Sequence, residues 1–111
     1  MPDIITTGTF EKNVKKIAKK DKLLYKDLQT LLNLLNKNPQ SGTHLGNNAY
    51  KIRIRNSSTQ KGKSGGYRVI SYYWNAEIIG LLTIYSKSEK ENIFEHEIDT
   101  LIKELAETVK V

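Results

Sequence analysis

The sequence predicts an α+β fold in which a helical hairpin packs on a small, mostly antiparallel sheet. Three features predict it: apolar residues at helical spacing in the first third, an alternating basic strand in the middle, and an amphipathic pattern near the end. A chain of 111 residues can form one domain, residues 1–111, with its own hydrophobic core. The predicted element order is β-α-α-β-β-β-α.

The first two elements are a strand and a helix. Residues 4–7 are β-prone and are followed by Gly8, which predicts a short strand that ends there. Three apolar residues then recur at helical spacing, with lysines between them, and predict an amphipathic helix: Phe10, Val14 and Ile17.

A second helix follows the first and completes the hairpin. Asp21 is predicted to be its N-cap, because a carboxylate oxygen can accept from the free N–H groups of a first turn. The helix should end at Asn38, since Pro39 disfavours helical backbone in the residue before it. Residues 39–49 are polar and glycine-bearing and predict a loop. The apolar stripe of this helix is Leu24, Leu28, Leu31 and Leu35.

Residues 50–55 alternate between apolar and basic side chains, as a strand with one buried face does. Ile52 and Ile54 should face the helices. We therefore expect one face of the sheet to be covered and the other to be open and basic. The bases on that second face are Lys51, Arg53 and Arg55.

The remaining elements are two strands and a helix. Residues 67–74 are aromatic and β-branched and predict a strand. Asn75-Ala76 predicts a tight turn, and residues 78–85 are apolar enough for a central strand. Ser88 and Glu91 have the spacing of a capping box. The apolar residues of the final helix are Phe94, Ile98, Leu101, Leu105 and Val109.

The middle of the chain is strongly basic. From Leu28 to Ala76 there is no Asp or Glu, and seven Lys and Arg residues occur, six of them within eighteen residues. A surface that is only solvated usually mixes both signs of charge. This tract, in a chain with a net charge of +6, therefore predicts a binding surface for a phosphate-rich polymer.

Two further features of this region favour RNA. The loop of residues 61–66 combines two lysines with three glycines, which let the main chain approach a ligand closely. Aromatic residues are interspersed with the bases, and single-stranded RNA requires both phosphate neutralisation and base stacking. The alternative is that the lysines only keep a hairpin soluble and protect an edge strand. The aromatic residues are Tyr67, Tyr72, Tyr73, Trp74 and Tyr85.

The sequence also argues against several other chemistries. There is no cysteine, so neither a disulfide nor a thiolate metal site is expected, and no metal or other cofactor is predicted. Gly62-Lys63-Ser64 does not form a P-loop, because Ser57 stands where a glycine is needed and a strand follows. No apolar run reaches the ~18 residues of a membrane span. With no secretory pattern at the N-terminus, we expect a soluble cytoplasmic protein.

Three segments resemble the RelE/ParE toxin superfamily. They are residues 50–55 (YKIRIR), residues 61–70 (KGKSGGYRVI) and residues 81–91 (LLTIYSKSEKE). The second and third are most similar to the HigB-type branch. The element order is also similar, so the resemblance extends over nearly the whole chain and implies a RelE-like microfold.

The resemblance implies a toxin of a type II toxin–antitoxin system. Such toxins are ribosome-dependent endoribonucleases that cleave mRNA in the ribosomal A site and thereby inhibit translation. The implied partners are mRNA on the ribosome, with its ribosomal RNA, and a cognate antitoxin of the helix-turn-helix type. The family reaction is metal-independent: the ribose 2′-OH attacks the adjacent phosphate and yields a cyclic phosphate and a 5′-hydroxyl.

The resemblance also assigns candidate site residues. Lys51 and Arg53 match the first basic strand of the family, and Arg68 matches the arginine of the next strand. Because neighbouring positive charges depress a lysine pKa, Lys61 or Lys63 is the candidate general base. The catalytic candidates are Lys61, Lys63, Arg68, Tyr85 and Lys87; the RNA-binding candidates are Lys51, Arg53, Arg55, Tyr67 and Lys90.

The chain departs from RelE at two positions. Ser88 and Phe94 stand where RelE has an arginine and a tyrosine, so Lys87 or Lys90 is expected to take over proton transfer. Two alternatives remain open: a gyrase-poisoning toxin of the ParE type, and an RNA- or ribosome-binding module without catalysis. The retained basic tract favours the ribonuclease.

Overall fold

The computed structural model describes residues 2–58, 66–90 and 92–109. Within these residues, the chain forms three helices and five strands. They are β1 (Asp3–Thr6), α1 (Gly8–Ala18), α2 (Leu24–Lys37), β2 (Thr43–Gly46), β3 (Ala49–Ile54), β4 (Tyr67–Asn75), β5 (Ile78–Ser86) and α3 (Glu95–Val109).

The five strands form one mixed sheet with the order β1-β5-β4-β3-β2. β1 pairs with β5 in parallel, and the other three pairs are antiparallel. The crossover from β1 to β5 passes through both helices of the hairpin, while β2 to β5 follow one another as a meander. The predicted α+β class, with a mostly antiparallel sheet, is confirmed.

The hairpin of α1 and α2 covers one face of the sheet. Its buried residues, such as Phe10 and Leu31, pack with Ile52, Ile54 and Val69 in one hydrophobic cluster. The alternation predicted for the basic strand is confirmed, because Ile52 and Ile54 are buried whereas Arg53 between them is exposed. The predicted strands over 67–74 and 78–85 are confirmed with end shifts of one residue.

Strand β2 lies where the sequence predicted only a loop, so that prediction was wrong for Thr43–Gly46. All four of its residues are exposed, because β2 is an edge strand, and it therefore lacks an apolar alternation. A two-residue turn joins β2 to β3. Asn47 and Asn48 both have positive φ there, as a tight hairpin turn of this kind requires.

Both predicted helix caps were wrong. The residue before α2 is Leu23, and no side chain caps this helix. Asp21 instead accepts a hydrogen bond from the Leu23 N–H at 3.0 Å within the connection between the helices. α3 begins at Glu95, seven residues after Ser88, so Ser88 does not cap it; Glu91 of the predicted capping box lies outside the described residues.

Helix α3 packs on the second face of the sheet, which was expected to be open. Ile98, Leu101 and Leu105 of α3 form a second cluster with Ile70 and Leu82. Gly80 of β5 lies directly beneath this helix: a Cβ there would be 2.2 Å from Leu105 Cδ2. The open basic surface is therefore restricted to the part of this face that α3 leaves uncovered.

Replacing Gly80 by alanine should loosen the packing of α3 on β5. Leu105 is fully buried and would have to shift to admit the added methyl group, so we expect a loss of about 1–3 kcal/mol in the free energy of unfolding, as for other overpacked cores. Urea denaturation measures it. An unchanged Gly80→Ala midpoint would contradict the packing.

A buried polar network connects the helical hairpin to the chain on either side of residues 59–65. Asp21 accepts hydrogen bonds from the Tyr67 hydroxyl at 2.7 Å and from the Ser58 hydroxyl. Asp27 accepts from the Ser57 N–H at 2.9 Å and from its hydroxyl. The two aspartates thus hold the segment after β3 and the first residue of β4 against the hairpin.

The hydrogen bonds of this network lower the pKa of Asp21. Burial alone would raise that pKa, but bonds from Ser58, Tyr67 and the Leu23 N–H outweigh it. The pKa of Tyr67 is raised, first by burial and then by its bond to Asp21. Asp21 is therefore ionised in the folded protein at neutral pH, and Tyr67 keeps its proton.

Because the pKa of Asp21 is lowered, the free energy of unfolding should depend on pH in the acidic range. A carboxyl group whose folded pKa lies below its unfolded value of ~3.9 stabilises the fold above that value, and the contribution is lost as pH falls through the folded pKa. We expect Asp21→Asn to have a lower free energy of unfolding than the wild type at pH 7. Below about pH 4 the two free energies should converge, because Asp21 of the wild type then becomes protonated. Urea titrations at several pH values test this; a difference independent of pH would refute it.

Candidate nucleic-acid interface on the sheet

Three side chains form a row across the middle of the sheet. Arg53 of β3 pairs in register with Arg68 of β4, and Arg68 pairs with Tyr85 of β5. Directly opposite residues of antiparallel strands share a face. Since Ile52 and Val69 point toward the hairpin, this row lies on the opposite face, the one that α3 partly covers.

Arg68 is the central residue of this row and is almost completely buried, with 4% of its surface exposed. Its Nη1 atom is buried and has no hydrogen-bond partner among the described residues. A guanidinium keeps its charge in a protein and carries five donors in a planar fork. A buried donor without an acceptor costs about 1–3 kcal/mol, so Arg68 is prepared for an oxygen-bearing anion. Such a ligand has to displace covering side chains to reach Nη1.

Tyr85 has the same property as its neighbour. It is 3% exposed, and its buried hydroxyl has no hydrogen-bond partner among residues 2–58, 66–90 and 92–109. The pKa of Tyr85 is raised by burial, a change that Arg68 opposes and Glu97 reinforces. Tyr85 therefore keeps its proton at neutral pH, and its hydroxyl can donate a hydrogen bond to a ligand.

Lys90 lies over the ring of Tyr85. Its Nζ is 5.4 Å from the ring centroid, which is the geometry of a cation–π contact. The same Nζ donates to Glu97 Oε2 at 2.8 Å, in the one ion pair within the described part of the chain. The hydrogen bond from Lys90 is the main cause of a lowered Glu97 pKa. Glu97 also accepts from the Phe94 N–H at 3.3 Å at the start of α3.

The other basic candidates surround this centre at the surface. Arg53 of β3 is exposed beside Arg68, Lys51 of the same strand is half-buried, and Arg55, which follows the last residue of β3, is exposed. Lys87 is exposed in the turn after β5. The structure thus gives a buried arginine and tyrosine with exposed bases around them. Phosphate-binding surfaces need charge of this kind.

Two groups of candidates do not join this arrangement. Tyr67 lies on the other face of β4, in the cluster under the hairpin, where its hydroxyl bonds to Asp21. Its ring packs in the core and is not on the basic face. Lys61 and Lys63, with the rest of the glycine-rich loop, lie outside the described residues.

Sequence reasoning missed the contribution of Glu97. Glu95 and Glu97 flank His96, which is exposed and stacks on Phe94 at the surface of the helix. Glu97 binds Lys90, which lies before the helix. No spacing rule for helical pairs applies to two residues that do not share a helix, so only the three-dimensional structure identifies this pair.

Neither a metal site nor a membrane span is apparent in the described residues. Residues 2–58, 66–90 and 92–109 contain no cluster of His, Asp and Glu suited to a metal ion. None of the helices in those ranges is both long and apolar enough to cross a membrane.

The match to a family model decides which proteins this chain is related to. The model of the RelE toxin of the RelE/RelB toxin–antitoxin system matches residues 6–111, which is nearly the entire chain. The chain belongs to the RelE toxin family. It is thus a toxin of a toxin–antitoxin system, and an antitoxin is its partner. No curated protein matches it significantly. Membership of the RelE family agrees with the RelE-like fold predicted from the sequence, whereas assignment to the HigB-type branch stays a prediction.

The unsatisfied buried hydroxyl in the site of this RelE-family toxin should lower the stability of the free protein. Tyr85→Phe removes a buried hydroxyl that has no partner, while the ring and its packing remain. We expect the free energy of unfolding to rise by about 1 kcal/mol. Urea denaturation measures it, with Tyr50→Phe as control, since the Tyr50 hydroxyl accepts a hydrogen bond from Gln40. A loss of stability in Tyr85→Phe would mean that the hydroxyl has a partner.

Proposed function

We propose that this toxin is a ribosome-dependent endoribonuclease that cleaves mRNA in the A site. The observation that supports it best is the buried Arg68 with a free Nη1, paired in register with Tyr85 and its free hydroxyl. Two unsatisfied donors side by side fit the oxygens of a phosphate group. The bases in and just after β3 fit the neighbouring phosphates of the same RNA strand.

The reaction would be a transfer within the RNA. The 2′-oxygen attacks the adjacent phosphorus, its proton goes to a base, and the bond from phosphorus to the 5′-oxygen breaks. The 5′-oxygen takes up a proton, and the products are a 2′,3′-cyclic phosphate and a 5′-hydroxyl. Negative charge grows on the non-bridging oxygens at the transition state, so preorganised cations accelerate this step.

The side chains suggest a division of roles. Arg68 would stabilise the non-bridging oxygens through its planar fork. Tyr85 keeps its proton because its pKa is raised, so it would donate a hydrogen bond to the reacting phosphate rather than act as a base. Lys87 or Lys90 would protonate the leaving 5′-oxygen, while Lys61 or Lys63 would be the base.

The bases in and just after β3 would bind the substrate rather than react with it. Lys51, Arg53 and Arg55 would neutralise phosphates of the mRNA on either side of the cleaved bond. This contribution depends on charge, so substrate affinity should fall steeply with salt. Glu97 accepts a hydrogen bond from Lys90 Nζ at 2.8 Å and would thereby keep Lys90 over the Tyr85 ring.

Arg68→Ala tests the proposal. With programmed ribosomes and mapped mRNA 5′ ends, we expect kcat to fall by ~100- to 1,000-fold, the usual effect of losing a preorganised donor at the transition state. Arg68→Lys should restore only part of it, because an ammonium lacks the planar fork. The control is Lys103→Ala, an exposed base on α3 that should leave cleavage unchanged.

Three results would contradict the proposal. Intact transcripts during growth arrest would exclude mRNA cleavage. Loss of DNA supercoiling with double-strand breaks would indicate a gyrase-poisoning toxin. Ribosome binding that Arg68→Ala weakens, with no cleavage by the wild-type protein, would indicate a binding module.

A further inference from the structure

The residue that precedes Arg68 belongs to a closed set of hydrogen bonds on the other face of the sheet. The Tyr67 hydroxyl donates to Asp21 Oδ2 at 2.7 Å and accepts from Asn56 Nδ2 at 3.2 Å. Asn56 Oδ1 accepts from the Ser58 N–H at 2.9 Å, and the Ser58 hydroxyl donates to Asp21 Oδ1. We call these four residues the Asp21 network. Each of them is bonded to two of the others, so each is held from two sides.

The Asp21 network lies at one end of the sheet, in the row next to Arg68. Tyr67 is the first residue of β4, and it pairs with Ile54, the last residue of β3, and with Ser86, the last residue of β5. The terminal pairs of a sheet open most easily. The network connects this terminal row to the helical hairpin through Asp21, and it therefore restrains the end of the sheet that is nearest to Arg68.

The Asp21 network is better suited to fixing a position than to adding stability. Asp21, Asn56 and Tyr67 are all buried. Hydrogen bonds to a buried carboxylate mainly offset the cost of removing it from water, so their net gain is small. A fully bonded polar network does, however, select one arrangement of its members. One fixed arrangement matters beside a catalytic donor, because a displacement of about 1 Å can reduce a reaction rate by ~100-fold.

We propose that Tyr67 and the Asp21 network are positioning residues for Arg68. Tyr67 and Arg68 are consecutive residues joined by one planar peptide unit, so the network sets the backbone from which the guanidinium extends. The Tyr67 side chain packs in the cluster under the hairpin and does not contact the phosphate that Arg68 would bind. This role replaces the RNA contact predicted for Tyr67 from the sequence. It rests on the proposed function, in which Arg68 acts at the reacting phosphate.

The test opens the network at two places. Tyr67→Phe removes one hydroxyl and keeps the aromatic ring. Its matched control is Tyr50→Phe, because Tyr50 is a buried tyrosine on β3 whose hydroxyl likewise accepts a hydrogen bond, from Gln40. Ser58→Ala opens the network at its exposed member, and Ser58→Thr restores a hydroxyl there. Cleavage is measured on programmed ribosomes below the melting temperature of every variant, and nitrogen-15 NMR measures proton exchange of the arginine guanidinium groups in the free protein.

We expect kcat to fall at least ~10-fold in Tyr67→Phe and ~3-fold in Ser58→Ala, because the donor is no longer held in place. KM should change by less than ~2-fold, since the exposed bases that bind the substrate keep their charge. Tyr50→Phe and Ser58→Thr should cleave like the wild type. The Arg68 guanidinium protons should exchange faster in Tyr67→Phe than in the wild type or in Tyr50→Phe.

Several results would overturn the assignment. A folded Tyr67→Phe with the kcat of the wild type would do so, and equal losses in Tyr67→Phe and Tyr50→Phe would show a general effect on stability instead. If Tyr67→Phe does not fold, an unchanged kcat in Ser58→Ala is the contradicting result. If the wild type cleaves no mRNA, the proposed function fails, and the exchange of the Arg68 protons decides alone: faster exchange in the opened network supports the positioning role, and unchanged exchange overturns it.

Discussion

The register of β3, β4 and β5 is the constraint on which the rest of the molecule depends. It directs Ile52 and Val69 toward the hairpin and aligns Arg53, Arg68 and Tyr85 on the other face. A slip of one residue would bring the arginines into the core and expose the isoleucines. Such a slip would cost free energy because apolar side chains would be exposed, so the hydrophobic pattern fixes the register. The register in turn determines which residues form the site. Core formation and site formation are thus one event.

Helix α3 makes the site different from a simple charged surface. Without it, the second face of the sheet would be open, and Tyr85, which packs in one cluster with Ile98 and Leu101, would be exposed. Arg68 beside Tyr85 is also buried, and neither its Nη1 nor the Tyr85 hydroxyl has a partner among the described residues. In a less polar environment, a charge interacts more strongly with a bound phosphate than it would in water. The unsatisfied donors of Arg68 and Tyr85 destabilise the free protein. This is consistent with a site in which both donors gain hydrogen-bond acceptors when a phosphate binds.

The sequence predicted the elements whose signal is local, and missed those that depend on distant contacts. The alternation of residues 50–55 and the stripe of α2 follow from periodicity, and both were predicted correctly. β2 was missed because an edge strand exposed on both faces has no apolar pattern. Asp21 has the composition of a cap, but Tyr67, 46 residues later, engages its carboxylate. The pairing of Lys90 with Glu97 likewise required the chain after β5 to turn back.

The same limit applies to the site as a whole. Charge in the sequence indicated a polyanion, and the resemblance to a toxin family indicated which residues to examine. That Arg68 is buried while Arg53 beside it is exposed could not be inferred, since both follow the same alternation. The most direct measurement is the nitrogen-15 NMR spectrum of the arginine guanidinium groups during titration with a short RNA that carries 2′-deoxyribose at the cleavage position. The account predicts that the Arg68 signals shift and become protected from exchange as this RNA binds. Shifts confined to the exposed Arg53 and Arg55 would contradict it.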